Sequence, residues 1–117
     1  MLNQAIKYDK SNVVSEMPTT DINGEYYGTY SGSDSGTFNI RLNSTTGVIS
    51  GLLQSGNYNI NLIISGNFSP DGVVQMSGKG SAGQATFTGH INVKTKEMSG
   101  SWGFPELGMG VFKGRHE

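Results

Sequence analysis

The chain has no cysteine, which excludes disulfides, thiolate chemistry, cysteine-ligated zinc and a lipidated N-terminal cysteine. No apolar run approaches the ~20 residues of a membrane helix. Charge of either sign is scarce and balanced, 8 basic against 9 acidic residues, so there is no long-range field to attract nucleic acid or an anionic membrane. The opening Met1 to Lys10 stretch lacks the 7–15-residue apolar region of a signal peptide. The expected location is therefore the cytoplasm, or the surface or exterior if this is a mature chain. Proline is also sparse, with 3 residues, whereas glycine is abundant, with 18 among 117, roughly twice the ~7% of average chains.

That glycine is patterned. Met1 to Asn23 shows no sustained period and reads as a flexible N-terminal arm with a turn of helix near Gln4 to Tyr8. From Gly24 to Glu117 the apolar residues recur at every second position, as in Phe38, Ile40 and Leu42, or Phe87, Gly89, Ile91 and Val93. Period two is the mark of half-buried antiparallel strands. Eight such runs, near 25–32, 36–43, 47–54, 57–68, 72–79, 83–93, 97–104 and 107–115, are separated only by short turns rich in Gly, Asn, Asp and Ser. Strands joined by hairpins alone form a meander, and closing it removes the two exposed edges. The predicted fold is all-β: a small eight-stranded antiparallel up-and-down barrel.

A short phrase recurs in seven of the eight runs, an apolar residue, one variable residue, then glycine: Tyr26-Tyr27-Gly28, Ile49-Ser50-Gly51, Met76-Ser77-Gly78, Met98-Ser99-Gly100. Residues two apart share a face, so these glycines belong inside, where they mark bends and make space for large rings. Tyr26, Tyr30, Phe38, Tyr58, Phe87, Trp102 and Phe112 then point inward in one register, which predicts a filled interior rather than a ligand cavity. By the same register Gly80 belongs to a polar hairpin and tolerates substitution.

Catalytic and metal sites find little support. Of the two histidines, His90 lies on a polar strand face and His116 at a fraying end, and the carboxylates fall in turns or at strand ends without converging. The Gly78 to Gly83 stretch has the glycines of a phosphate cradle but not the following helix. No cofactor and no enzymatic activity are expected. The expected function is that of a binding module which presents an outer face or loops to a protein partner, as a small inhibitor does, or to a second copy of itself. The alternative is a lipocalin-like carrier with a small apolar ligand inside the barrel. Outward Tyr27, Met109 and Val111 are the candidate binding residues, because barrel closure would lay the last strand beside the first and make one apolar strip. Asp34, Ser55, Asn57 and Lys79, at one barrel mouth, come next.

One stretch has a specific likeness. Gly100-Ser101-Trp102-Gly103-Phe104-Pro105-Glu106-Leu107-Gly108-Met109-Gly110-Val111-Phe112, after Ala85-Thr86-Phe87-Thr88-Gly89, resembles the closing hairpin of barrel domains in transferrin-binding protein B-like bacterial surface proteins. The likeness covers residues 83–114. It implies an eight-stranded surface barrel that binds a host protein or haem by its loops. Its matching positions are bend glycines and aromatics, so it assigns no binding residue.

Overall fold

The computed structural model describes residues 22–105 and 107–117; the N-terminal arm up to Asp21, with its turn of helix, lies outside them. Eight strands follow one another: β1 (Gly24–Gly32), β2 (Gly36–Asn43), β3 (Val48–Ser55), β4 (Asn61–Phe68), β5 (Val73–Gly80), β6 (Gly83–Asn92), β7 (Glu97–Phe104) and β8 (Gly108–His116). Each pairs antiparallel with its sequence neighbours, and β8 pairs with β1 to close the barrel. The seam register sets Gly28 opposite Gly114 and Tyr30 opposite Phe112. The predicted meander barrel is thus the observed fold, with strand limits within a residue or so of expectation except in β4.

Alternation sorts the side chains into two layers. Ile40, Leu42, Ile49, Leu62, Ile64, Val74, Met76, Phe87, Ile91, Met98 and Trp102 are buried. The outward positions between them carry mostly Ser, Thr, Asn, Gln and charged groups, the reverse of a barrel whose outer face meets lipid. No helix among the described residues is long and apolar enough to cross a membrane. Three phenylalanines form the middle of the interior: Phe112 meets Phe38 and Phe87 edge-on, with centroids 6.0 and 5.8 Å apart, a favoured geometry for aromatic quadrupoles. Trp102 stands edge-on to Tyr30 at 5.5 Å, and its indole N–H donates to the Ser31 carbonyl at 3.0 Å. The voids left inside measure about 10 Å³ each, the space of a single water at most.

Gly28, Gly89, Gly100 and Gly114 lie beneath those rings, whereas Gly51, Gly66 and Gly78 lie against the Ile40 and Met76 backbone and the Leu62 and Ile64 side chains. A Cβ on Gly89 or Gly100 would come within 2.9 or 2.8 Å of the Phe112 ring and would strike the facing backbone as well; one on Gly28 would strike Phe38. Two glycines depart from expectation. Gly32, in the Tyr30-Ser31-Gly32 phrase, is exposed, with a φ of 128° that turns the chain out of β1. Gly80 is crowded rather than free, because a Cβ there would meet the Asn61 carbonyl at 2.6 Å and the Leu62 side chain at 3.0 Å.

Three other positions differ. Tyr58 is half exposed, at 49%, because β4 begins only at Asn61. The Ser55 hydroxyl accepts from the backbone N–H of Asn57 and Tyr58, and Ser55 N–H donates to the Ile60 carbonyl, so this loop lifts Tyr58 out of the alternation. The packed barrel begins two residues before its expected start at Gly24: Ile22 is buried at the mouth, where its carbonyl accepts from the Tyr26 hydroxyl at 2.8 Å. Burial pushes that hydroxyl up to about 12. His116 does not fray. It pairs with Tyr26 in the sheet, stacks edge-on to its ring at 5.1 Å, and lies 2.9 Å from the Asn23 carbonyl.

Candidate functional site

With the interior filled, surface chemistry falls to the two mouths and the outer wall. At one mouth Asp34, in the β1–β2 turn, is 3% exposed. Its carboxylate accepts from the Tyr30 hydroxyl at 2.9 Å, the Ser55 hydroxyl at 3.1 Å and the Asn57 amide at 3.1 Å. Three of the four residues expected at this mouth therefore converge, while Lys79 stands apart on the outer face of β5. Burial works to raise the Asp34 carboxyl, but bonds from Asn57, Tyr30, Ser55 and the Ser35 N–H outweigh it and hold it below the usual carboxylate range. Burial and then the bond to Asp34 raise the Tyr30 hydroxyl. Both groups are thereby fixed in their resting protonation states, which makes the cluster a lock on the mouth rather than an acid–base pair.

This lock has a pH signature. A carboxyl whose folded pKa is depressed contributes stability that is present above its unfolded value and lost as pH falls through the folded one. Asp34→Ala should cost on the order of 2 kcal/mol at pH 7, since it leaves the Tyr30 hydroxyl without its acceptor. The gap between denaturant melts of parent and variant should narrow as pH drops below about 4 and through the lower value at which the folded carboxyl becomes neutral. A gap that stays constant from pH 7 to 2 would remove the carboxylate from this role.

At the opposite mouth the Ser69 hydroxyl donates to the exposed Asp71 carboxylate and holds it below its ordinary range, while His90 bonds the Asp71 carbonyl at 3.0 Å rather than either side chain. Serine, carboxylate and imidazole are thus near one another without forming a relay. Among the described residues no group of three or more His, Cys, Asp or Glu side chains could hold a metal ion.

On the outer wall Tyr27, Met109 and Val111 are all exposed, at 50%, 72% and 59%, but they do not form one strip. Tyr27 faces Asn39 on β2 and Arg115 on β8, whereas Val111 faces Ser31 and Ser101, and Met109 faces Gly103. The antiparallel register separates Tyr27 from the Val111 level by four residues, roughly 13 Å. Met109 and Val111 remain a two-residue apolar spot among glycine and serine. A second apolar spot is formed by Leu52 and Ile63, which face each other directly across β3 and β4 and are 58% and 66% exposed. Alternation with buried Leu53, Leu62 and Ile64 sets both outward, but their pairing depends on the register that the five-residue β3–β4 loop imposes. One cross-strand row then runs Arg115, Tyr27, Asn39, Leu52, Ile63, Lys79. Beyond Arg115 the same row continues to Glu97 and Asn92.

That end of the row is concave. The outer faces of β6, β7, β8 and β1 form an open groove lined by Tyr27, His90, two cations, Lys113 and Arg115, and two carboxylates, Glu97 and Glu117, over Gly28 and Gly114. No protein-family model matches the chain, and no curated protein does.

Proposed function

We propose that this chain is a non-enzymatic binding module, a rigid barrel whose outer wall meets a protein partner. The Leu52–Ile63 pair carries this reading. Two large aliphatic side chains stand directly opposite one another, whereas the other exposed apolar residues of the strands, Tyr27, Val48, Val73, Met109 and Val111, face polar residues or glycine across the sheet. The filled interior supports a role for the outside of the barrel, and the resemblance of residues 83–114 to partner-binding surface barrels accords with it. Haem or host-protein acquisition belongs to the same class of function.

The test compares partners retained by the immobilised parent chain with those retained by Leu52→Lys/Ile63→Glu and by Met109→Glu/Val111→Lys. All four side chains are exposed, so both variants should keep the parent's circular dichroism and melting temperature. The first variant should lose at least tenfold of whatever protein the parent retains, because central apolar contacts dominate binding energy. Retention unchanged in both variants would contradict an outer-wall contact.

A further inference from the structure

We propose that a pocket at the Asp34 end of the outer wall binds one unit of a neutral oligosaccharide, with the Tyr58 ring against the sugar and the Gln54 and Asn61 amides on its hydroxyls. This goes beyond the protein-partner reading and does not depend on it. The pocket has a volume of about 370 Å³ and lies between the β3–β4 loop and the adjoining ends of β2, β3 and β4, within the ~300–1,000 Å³ of small-molecule sites. Along its wall Thr37 faces Gln54, and Gln54 faces Asn61, so a hydroxyl and two amides stand side by side on three strands. Cross-strand neighbours of this kind are about 5 Å apart at Cβ, close enough for one small ligand to touch all three.

The loop adds an independent observation. With five residues between the strands, it is the longest connection in the barrel among the described residues. It holds Tyr58 half exposed at the pocket, which forgoes the free energy that burying the ring would release. The loop that does this is built rather than slack. The Ser55 hydroxyl accepts from the Asn57 and Tyr58 N–H groups, and the Ser55 and Asn57 side chains both bond the buried Asp34 carboxylate. The Asn57 amide also donates to the Ser35 hydroxyl at 3.2 Å, and Gly56 N–H to the Ser35 carbonyl at 2.8 Å. The Tyr58 backbone is thus fixed before a ligand arrives, which lowers the ordering cost of binding. The lock on this mouth is the support of the pocket. Its bonds run through Asp34, Ser55 and Asn57, and among the described residues none engages the side chains of Thr37, Gln54, Asn59 or Asn61.

The occupant's chemistry follows from the lining. No charged side chain lines the pocket, so a phosphate or carboxylate would find no counter-ion there. A wholly apolar ligand would strip water from the amides and leave them unpaired. Each side-chain amide both donates and accepts in one plane, and each sugar hydroxyl does the same, so the two can satisfy one another. The carbon–hydrogen face of a pyranose is apolar and slightly positive, which suits the electron-rich face of an aromatic ring. One apolar face and a polar edge are therefore common to a sugar unit and to this pocket. A peptide strand is served less well, because the barrel is closed and β2, β3 and β4 pair on both sides, with no free sheet edge for its backbone.

The experiment is a titration of the full, nitrogen-15-labelled chain with maltohexaose, cellohexaose, mannohexaose and chitotetraose, followed by amide correlation spectra. At least one sugar should cause saturable shifts in the side-chain amide signals of Gln54, Asn59 and Asn61, with an affinity that salt does not change, since no charge takes part. Tyr58→Ala should weaken binding by about tenfold or more, and Tyr58→Phe by less than about threefold, because the ring remains. Gln54→Ala/Asn61→Ala, which leaves the loop intact, should weaken it severalfold. Val73→Ala, an exposed side chain at the opposite end of the wall, should have no effect. All four variants change exposed side chains and should melt within a few degrees of the parent. Absence of saturable shifts with all four sugars, shifts centred outside the pocket, or equal binding by Tyr58→Ala and the parent would overturn the assignment. Tighter binding of a glycine–serine peptide at the same amides would overturn it in favour of a peptide.

Discussion

Truncation of Trp102 to alanine should destabilise the barrel by about 3–5 kcal/mol, the range for removing a large buried aromatic. Trp102 is 5% exposed, packs edge-on against Tyr30, and donates its indole N–H to the Ser31 carbonyl across the β1–β8 side of the barrel. The substitution therefore leaves a cavity and an unpaired carbonyl at once. Since domains of this kind have only ~5–15 kcal/mol of stability, urea or thermal unfolding should show a large loss. A variant melting within a few degrees of the parent would mean that the tryptophan is not part of the core.

Gly100→Val should be at least as damaging, and it isolates the geometry of the wall from simple loss of burial. The added side chain would enter between the Thr88 carbonyl, the Gly89 Cα and the Phe112 ring. Two of those three are backbone and cannot give way without breaking the β6–β7 ladder. Gly103 is the internal control. It belongs to the same strand but faces outward, and a Cβ there would meet only the Thr86 hydroxyl, at 4.0 Å. Gly103→Val should cost no more than ~1 kcal/mol, the scale of surface β-propensity effects, whereas Gly100→Val should prevent cooperative folding or lower stability by several kcal/mol. Equal tolerance at both positions would contradict the account of glycine as space for rings.

These two substitutions also indicate why the fold was legible before the site was. Alternation and turn chemistry are local, so Phe38-Asn39-Ile40-Arg41-Leu42 declares a strand and its inner face without reference to the rest of the chain. The glycine two residues beyond an inward ring position carries the same local information. Tyr58 was misplaced because its departure from the strand depends on bonds to the Ser55 hydroxyl that alternation does not encode. Crowding at Gly80 depends on Leu62 of β4, a contact made across strands. The outer wall is non-local throughout. Whether Tyr27 stands beside Met109 or beside Arg115 is set by the seam register between the first and last strands, and a shift of a few residues redistributes every outward neighbour. Residue types at each outward position were evident, but their assembly into the Leu52–Ile63 pair and the groove across β6, β7, β8 and β1 was not.

The barrel is filled, with internal voids of only about 10 Å³, and binding is proposed for its outer wall alone. Trp102 is the chain's single tryptophan, and it lies among Tyr30, Phe104 and Leu107 at the mouth held by Asp34. A small ligand entering there would alter its emission directly. The most direct measurement is its fluorescence during titration with a fatty acid, a retinoid-like polyene and haem, each followed to saturation of a lipocalin control. The emission spectrum should not change beyond dilution and inner-filter correction. A saturable shift or quench with one-to-one stoichiometry, abolished by enlarging Ala85 to Phe in the interior, would show a ligand inside the barrel and contradict the claim.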